Sequence, residues 1–163
     1  MRLTGWIANN EPLINAIFIC EKLGIREPLT FCIDTGATTT CLSERDAIRL
    51  GINIRKLEKR TRPAIGIGGK ADVYILKDVK LLFKGDTKGW EETFPEMDII
   101  VPSKTAKPYM AGVMNLLGFD FLRKCTITFP GDQVHLYLPE TNEPQNHKNM
   151  RKQKKHQSLK PNP

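Results

Sequence analysis

The sequence predicts an all-β domain with one or two short helices, and three observations support this prediction. Short apolar segments rich in β-branched residues recur along residues 1–139 and are separated by turn residues. Gly-Gly and Pro-Gly-Asp sequences occur where tight hairpins would turn. Only one segment carries clear signals for both ends of a helix. Together these features favour a β-sheet protein over a helical one.

The predicted strands follow one another closely along the chain. Six segments combine apolar residues with flanking turn residues and are predicted as strands or paired strands: residues 13–20, 29–33, 64–83, 90–101, 125–129 and 133–138. Within the third segment, a hairpin is predicted to turn at Gly68-Gly69, because adjacent glycines supply the positive φ angles of a tight turn. Residues 103–112 are predicted to form a loop.

One helix is predicted with both of its ends. Ser43 is suited to be the N-cap, and Glu44 and Asp46 place negative charge in the first turn. Gly51 is suited to end the helix. A second, short helical stretch is predicted at residues 115–122.

The charge of the chain is unevenly distributed. The net charge is +7, of which residues 140–163 carry +4 and the first 139 residues only +3. The basic segment 140–163 has almost no apolar content and is predicted to be a disordered tail that follows a folded domain of residues 1–139. Binding of nucleic acid or an acidic partner by this tail rests on charge alone, since no aromatic residue is interleaved to stack on bases. A solvated tail is the preferred interpretation.

Several classes of protein are disfavoured by the sequence. No apolar run approaches the roughly 18 residues that cross a bilayer, and the first residues lack the apolar core of a signal peptide. We therefore expect a cytoplasmic protein with no membrane association. The four cysteines show no Cys-x-x-Cys spacing and are expected to be reduced. His135 is the only histidine before residue 140 and lies in a predicted strand, so histidine-dependent hydrolysis and His-rich metal sites are not expected.

The segment that indicates chemistry is Asp34-Thr35-Gly36, which follows the apolar strand at residues 29–33. The strand is expected to bury Asp34, and burial disfavours the charged form of a carboxyl group. Thr35 can donate hydrogen bonds, and Gly36 allows other groups to approach the turn closely. Alone, these three residues are equally compatible with an Asx-type turn at the end of a strand.

Two further elements follow in a characteristic order. A glycine-bearing hairpin at residues 66–69 comes first, and the sequence Leu-Leu-Gly at residues 116–118 then precedes a short helical stretch. With these three elements the chain resembles the retropepsin-like aspartic proteases, the single-domain relatives of pepsin. The resemblance covers roughly residues 10–139 and implies a single-domain β-barrel that forms a twofold homodimer.

The resemblance also implies a role for each matched residue. Asp34 would be the catalytic aspartate, Thr35 would brace the paired active-site loops across the dimer, and Gly36 would allow the tight turn beneath the substrate. The flap that closes over a peptide and binds it through main-chain groups would consist of Gly66, Ile67, Gly68 and Gly69. Residues 116–118 would pack under the catalytic loop.

The activity that follows from the resemblance is that of an aspartic endopeptidase. Two aspartates that share one proton can activate a water molecule and protonate the peptide bond. Because one chain supplies a single Asp-Thr-Gly, the second Asp34 is expected to come from a second copy in a homodimer that acts on polypeptides. No metal or organic cofactor is expected. Asp120 is an in-chain alternative for the second acid, but it is better interpreted as a helix cap or a surface charge.

A different class of function stays open at this stage. The same fold without activity would serve as a dimerisation or peptide-binding module. The intact Asp34-Thr35-Gly36 sequence argues for the protease.

Overall fold

A computed structural model of the chain describes residues 1–66, 69–103 and 114–139. The strands are β1 (Arg2–Ala8), β2 (Glu11–Cys20), β3 (Ile25–Ile33), β4 (Cys41–Ser43), β5 (Glu58–Lys59), β6 (Ala64–Gly66), β7 (Gly69–Lys84), β8 (Gly89–Pro102), β9 (Asn115–Leu117), β10 (Thr126–Thr128) and β11 (Gln133–Tyr137). The helices are α1 (Glu44–Arg49) and α2 (Phe119–Leu122), with 3-10 turns at Glu21–Leu23 and Ile54–Lys56. The predicted all-β class is confirmed. None of the helices in these ranges is long and apolar enough to cross a membrane.

The strands form one sheet that curls into a barrel. Neighbouring strands follow the order β10-β11-β1-β2-β3-β9-β4-β8-β7-β5, and β6 pairs with β7. β2 also pairs with β7, where Phe18 lies opposite Leu81, and this pairing closes the sheet on itself. Most pairs are antiparallel, but β9 runs parallel to β3 and β4 runs parallel to β8. These parallel pairs lie side by side in the strand order, next to the residues that follow β3.

β7 and β8 form a long hairpin. β7 runs as one strand through the polar residues near Asp78. Asp78 has a φ of 59°, and both Asp78 and Pro95 of β8 are left out of the pairing between Lys77 and Glu96 on one side and Val79 and Phe94 on the other. Pro95 has no N–H to donate, so the unpaired position suits it. The strands bend here without ending.

The barrel is filled by buried apolar side chains. Its largest fully buried aromatic residues come from β2, β3, β7 and α2 and are Phe18, Phe31, Phe83 and Phe121. The rings of Phe83 and Phe121 stack with their centroids 5.2 Å apart. This contact fixes α2 against the barrel and thereby positions the residues that precede it.

Some elements differ from the prediction. The prediction lacks β1, β4 and β5, and it treats residues 115–117 as helical, whereas they form β9 and the helix begins only at Phe119. A short apolar run does not distinguish a buried strand from a helix, and here pairing with β3 on one side and β4 on the other decides for a strand. Of the loop predicted at residues 103–112, all but Ser103 lies outside the described residues.

Helix α1 begins where the sequence predicts. Ser43 has an extended backbone, and its Oγ accepts a hydrogen bond from the N–H of Asp46 at 3.2 Å. Glu44 and Asp46 lie in the first turn. After the last turn, Gly51 has a φ of 73° and donates its N–H to the carbonyl oxygen of Ile48 at 2.9 Å. The predicted caps are therefore both present.

A buried polar network joins α1 to the strands beneath it. The side chain of Asn115 is fully buried at the start of β9. Its Nδ2 donates to Oδ2 of Asp46 at 2.7 Å and to the carbonyl oxygen of Thr30 at 3.0 Å, and its Oδ1 accepts from the N–H of Ser43 at 2.9 Å. Asp46 also accepts a hydrogen bond from Nε of Arg49 at 3.1 Å. Because each polar group of Asn115 has a partner, its burial is compensated.

This network lowers the pKa of the Asp46 carboxyl. Burial by itself would raise that pKa, but hydrogen bonds from Asn115 and Arg49 and the charges of Arg45 and Arg49 outweigh burial. A carboxyl whose pKa is lower in the folded state stabilises the fold above its unfolded pKa of about 3.9. That contribution is lost as the pH falls through the folded-state pKa.

The described domain ends in contacts with its first residue. The N–H of Leu138 donates to the carbonyl oxygen of Met1 at 2.9 Å, and the terminal amine of Met1 donates to the carbonyl oxygen of Leu138 at 3.2 Å. The side chain of Leu138 is buried. We propose that the folded domain extends to Pro139 and that residues 140–163, which lie outside the described residues, do not contribute to it.

Replacing Asn115 with alanine should lower the free energy of unfolding by about 2 kcal/mol or more, because the Ser43 N–H and the Asp46 carboxylate lose their buried partner. Asn15→Ala is the matched control, since Asn15 accepts only an exposed hydrogen bond, from Oγ1 of Thr30. It should cost less than about 0.5 kcal/mol. Urea unfolding of the three proteins at one concentration measures both effects.

The same measurement in acid tests the electrostatic part of the network. Asn115 stabilises the ionised form of Asp46, so the stability gap between the wild type and Asn115→Ala should narrow as the pH is lowered from 7 to about 3. A gap that stays constant over this range would show that Asn115 does not act through the charge of Asp46.

Truncation after Pro139 should shift the melting temperature by no more than about 2 °C, because the removed segment has too little apolar surface to pack. Truncation after Tyr137 is the control, since it also removes the buried Leu138 and should lower the melting temperature by several degrees. Thermal unfolding followed by circular dichroism compares the two. A large destabilisation by the first truncation would mean that residues 140–163 dock on the domain.

Candidate active site

Asp34 is positioned by the parallel pairing of β3 with β9. Ile33, the last residue of β3, lies opposite Leu117, the last residue of β9. The backbone N–H of Asp34 then donates to the carbonyl oxygen of Leu117 at 3.1 Å, so the ladder continues one step past the strand. The position of Asp34 is therefore set by a central strand of the sheet.

The residues after Asp34 form a tight turn around its carboxylate. The N–H of Gly36 donates to Oδ1 of Asp34 at 2.8 Å, and the N–H of Ala37 donates to the Asp34 carbonyl oxygen at 3.2 Å. This is an Asx-type turn. A Cβ atom on Gly36 would stand 3.2 Å from Oδ1, so any side chain there would require the Asp34 carboxylate to shift by a small amount. The turn holds the carboxylate in one orientation.

Asp34 is less buried than the sequence predicts. In the single chain it is half-buried, and both Thr35 and Gly36 are exposed. The expectation of burial assumes that Asp34 belongs to the apolar strand, but the turn carries it beyond the end of β3. The carboxylate therefore remains accessible to a reactant.

A second loop lies directly against the Asp34 turn. A Cβ atom on Gly118 would lie 2.4 Å from the carbonyl carbon of Thr39, so only glycine permits the observed approach of the two backbones. The N–H of Phe119 donates to the carbonyl oxygen of Ala37 at 2.8 Å, and that of Asp120 donates to the carbonyl oxygen of Thr38 at 3.2 Å. As the resemblance implies, residues 116–118 support the turn from below.

Thr40 and Asp120 lock the two loops together. Oγ1 of the buried Thr40 donates to Oδ1 of Asp120 at 2.7 Å and accepts from the N–H of Gly118 at 3.1 Å. The backbone N–H of Thr40 donates to both oxygens of Asp120, at 2.9 and 3.0 Å. Asp120 is thus a structural brace between the loops. The sequence-based interpretation of Asp120 as a helix cap describes part of this role, since Oδ1 also accepts a hydrogen bond from the N–H of Phe121 at 2.9 Å.

The hairpin that carries the glycines is formed by β6 and the start of β7. Gly66 lies opposite Gly69 in the last pair of the ladder. The two residues between the strands are therefore 67 and 68, one position earlier than the predicted turn at Gly68-Gly69. Gly69 has the expected positive φ, at 109°. Ile67 and Gly68 lie outside the described residues. The hairpin is present at the predicted place.

The cysteines and His135 occupy structural positions. The four cysteines are free, and burial raises the pKa of Cys41 and Cys125 to about 12, which keeps them as unreactive thiols at neutral pH. His135 lies on β11 with Nε2 3.1 Å from Oε1 of Gln133. Within the ranges that the structure describes, no three His, Cys, Asp or Glu side chains are grouped to hold a metal ion.

Sequence reasoning misses the residues that brace the site. Thr40 and Asn115 are not singled out by any motif, and Asp120 is noted only as a cap or a surface charge. The available signal is the polar run at residues 38–40 directly after a turn of chemical interest. A buried hydroxyl in such a run becomes apparent only when its partner 80 residues away is known.

Comparison with known proteins agrees with this geometry. The protein family described as gag-polyprotein putative aspartyl protease matches residues 25–124. The crystal structure of a retropepsin-like aspartic protease from Rickettsia conorii is 20% identical to the chain and has a TM-score of 0.53, with 83% of this chain and 90% of that chain covered. This likeness shows the fold. No curated protein sequence matches the chain.

Two further solved structures are similar over most of their length. EIAV protease in complex with an inhibitor is 19% identical, with a TM-score of 0.42 and coverage of 72% of this chain and 90% of that chain. The retroviral protease-like domain of Ddi1 from Leishmania major is 17% identical, with a TM-score of 0.43 and coverage of 80% and 98%. The family match spans the Asp34 turn, the hairpin and residues 116–118, and it covers more than half of the sequence. The chain therefore belongs to the gag-polyprotein putative aspartyl protease family and has the retropepsin-like fold.

Proposed function

We propose that the protein is an aspartic endopeptidase that hydrolyses peptide bonds with water activated by the paired Asp34 carboxylates of a homodimer. The observation that carries this proposal is the Asp34 side chain itself, half-buried but accessible and oriented by the Gly36 N–H at 2.8 Å. The backbone beneath it is held by β9 and by the close approach at Gly118. A carboxylate fixed in this way needs little reorganisation before it reacts.

The second carboxylate of the pair is best supplied by a second chain. Within the same chain, Asp120 uses both oxygens on Thr40, and Oδ1 of Asp98 pairs with Nε of Arg60 at 2.7 Å. Both groups are committed to structural contacts. A twofold axis beside the Asp34 turn would instead bring Asp34 of one protomer to Asp34 of its partner.

Two such carboxylates can hydrolyse an amide by moving protons. Like charges a few ångströms apart cannot both ionise, so the pair holds one proton. The ionised Asp34 takes a proton from water as the water oxygen bonds to the carbonyl carbon, and the protonated Asp34 gives its proton to the carbonyl oxygen. The C–N bond then breaks as the pair gives a proton to the nitrogen and takes one from a hydroxyl group of the tetrahedral intermediate, which returns the pair to its one-proton state. Water supplies both groups that are added to the products.

The neighbouring residues have supporting roles in this proposal. Thr35, which is exposed in the single chain, braces the two turns across the twofold axis, and Gly36 keeps the turn narrow beneath the substrate. The hairpin of Gly66, Ile67, Gly68 and Gly69 closes over an extended polypeptide and binds it through main-chain groups, as a strand added to a sheet edge would be bound.

The exposed side chain of Phe119 supports an interface beside the Asp34 turn. Its N–H is bound to the Ala37 carbonyl oxygen, which places the residue at the rim of the Asp34 turn, and 52% of the residue is exposed in the single chain. An exposed aromatic side chain beside the required twofold axis is suited to an interface. A dimer that pairs the Asp34 turns brings the two Phe119 side chains into or beside the contact.

Asp34→Asn should abolish peptidase activity and leave the fold and the dimer nearly intact, because the amide resembles the carboxyl in shape but cannot act as a general base. Cleavage of a mixed peptide library by wild type and variant, read by mass spectrometry, measures the effect. A loss of at least about 100-fold is expected. Substantial turnover by a clean variant preparation would exclude Asp34 as the catalytic residue.

The same experiment distinguishes the alternative function. A catalytically idle dimerisation or peptide-binding module would cleave nothing as wild type, although it would still form the dimer. In that case the Asp34→Asn substitution would change neither the peptide pattern nor the dimer fraction.

Specific activity should fall on dilution in step with the fraction of dimer, because a monomer has one Asp34 and no group with which to share a proton. Activity per mole across a dilution series, compared with sedimentation at the same concentrations, tests this. Phe119→Ser should move the transition to about 10-fold higher concentration or more. The matched control is Phe129→Ser, since Phe129 is 58% exposed but lies between β10 and β11. Full activity in a demonstrably monomeric sample would exclude the shared pair.

A further inference from the structure

A polar cluster lies outside the site described above and connects its two sides. Thr39 belongs to the loop that follows the Asp34 turn, Arg60 follows β5 and precedes the hairpin strand β6, and Asp98 lies in β8. In the sheet order β4-β8-β7-β5, Arg60 stands beyond β7, and its side chain reaches across that strand to β8.

The contacts within this cluster are short and directional. Nε of Arg60 donates to Oδ1 of Asp98 at 2.7 Å, and Oδ2 of Asp98 accepts from Oγ1 of Thr39 at 3.3 Å. A second guanidinium nitrogen of Arg60 donates to Oε2 of Glu96 at 3.2 Å. The backbone N–H of Arg60 is bound to the Val73 carbonyl oxygen of β7 at 2.8 Å. Arg60 is therefore held by its backbone to β7 and by its side chain to β8.

The Arg60–Asp98 pair differs in burial from its neighbours. In the Arg60–Asp98 pair the Arg60 side chain is 37% exposed and the Asp98 side chain 12% exposed, whereas the side chains of the Lys59–Asp72 pair, which also joins this segment to β7, are 51% and 46% exposed. Exposed ion pairs contribute little to stability, but removing Arg60 takes a cationic partner from the nearly buried Asp98 carboxylate. We therefore expect the loss of Arg60 to affect the structure more than the loss of Lys59.

The face of the hairpin that bears this pair also carries a small apolar layer, while the backbone of β7 is paired with β8 and β5. Val73 and Ile75 of β7 are buried but lie outside the main core of the barrel, and Ile75 is directly opposite Asp98. The start of the hairpin, where Ala64 pairs with Ala71, extends beyond this small apolar layer. Asp98 lies opposite Ile75 in this layer, and its two oxygens connect Arg60 to Thr39 in the loop that follows Asp34.

We propose that Arg60 is a positioning residue that, through Asp98 and Thr39, holds the hairpin strands β6 and β7 at a set distance from the Asp34 turn. Its consequence for catalysis rests on the proposed function, since the hairpin must lie over a peptide bound at Asp34. Arg60 does not touch the reacting atoms. Its loss loosens the hairpin and weakens peptide binding while the proton transfers at Asp34 remain.

The test is hydrogen exchange of the full chain, measured by mass spectrometry, in wild type, Arg60→Met, Asp98→Asn and Lys59→Met. Amides of residues 64–66 and 69–71 should exchange at least about 10-fold faster in Arg60→Met, while those of β3 remain unchanged, because the opening is local. Asp98→Asn should give a similar increase, and the matched control Lys59→Met should give none. Arg60→Lys, which keeps the charge but loses the forked geometry, should restore part of the protection.

A kinetic measurement separates positioning from a general loss of structure. With a peptide that the wild type cleaves, Arg60→Met should raise KM at least about 10-fold with kcat within about 3-fold, since uniform binding is lost and the transition-state chemistry is kept. The proposal is overturned if the hairpin amides exchange at the wild-type rate, or if β3 exchanges as fast as the hairpin. If the wild type cleaves no peptide, the proposed function fails, and the exchange experiment still decides whether Arg60 holds the hairpin.

Discussion

The close contact between Gly118 and the backbone of Thr39 is the constraint on which the arrangement around Asp34 depends. Two loops from strands that are far apart in sequence meet there without room for a Cβ atom. The approach allows the Thr40 hydroxyl to bond both the Gly118 N–H and Asp120, and it places the Phe119 N–H on the Ala37 carbonyl oxygen. The turn that presents Asp34 is rigid because its neighbour is packed against it at backbone distance.

A turn built in this way presents an accessible carboxylate. Asp120, the acid nearest in sequence to the bracing glycine, is consumed by the brace itself. Asp120 is therefore a structural acid, and in the proposed mechanism a symmetry-related Asp34 supplies the second carboxylate.

The parts of this structure that follow local rules are predictable from sequence. The Ser43 cap, the Asp34 turn and the strand class of most of the chain depend on neighbouring residues and are found correctly. Residues 115–117 are misjudged, because an apolar run takes the form of a strand only through parallel pairing with β3. The roles of Thr40, Asn115 and Arg60 depend on partners 80, 69 and 38 residues away, and no local pattern reports such pairs.

Polar contacts between residues far apart in sequence position the loops and helix α1 together with the apolar core. The core fixes the barrel through side chains such as Phe83 and Phe121, but non-directional packing tolerates small shifts of a loop. Asn115 sets the depth of α1 with hydrogen bonds to Thr30, Ser43 and Asp46, and a fully satisfied network has one geometry. Arg60 acts in the same way on the opposite side of the Asp34 loop. In the proposed dimer two carboxylates align across a symmetry axis, and directional contacts matter there because an error in one chain is repeated in its partner.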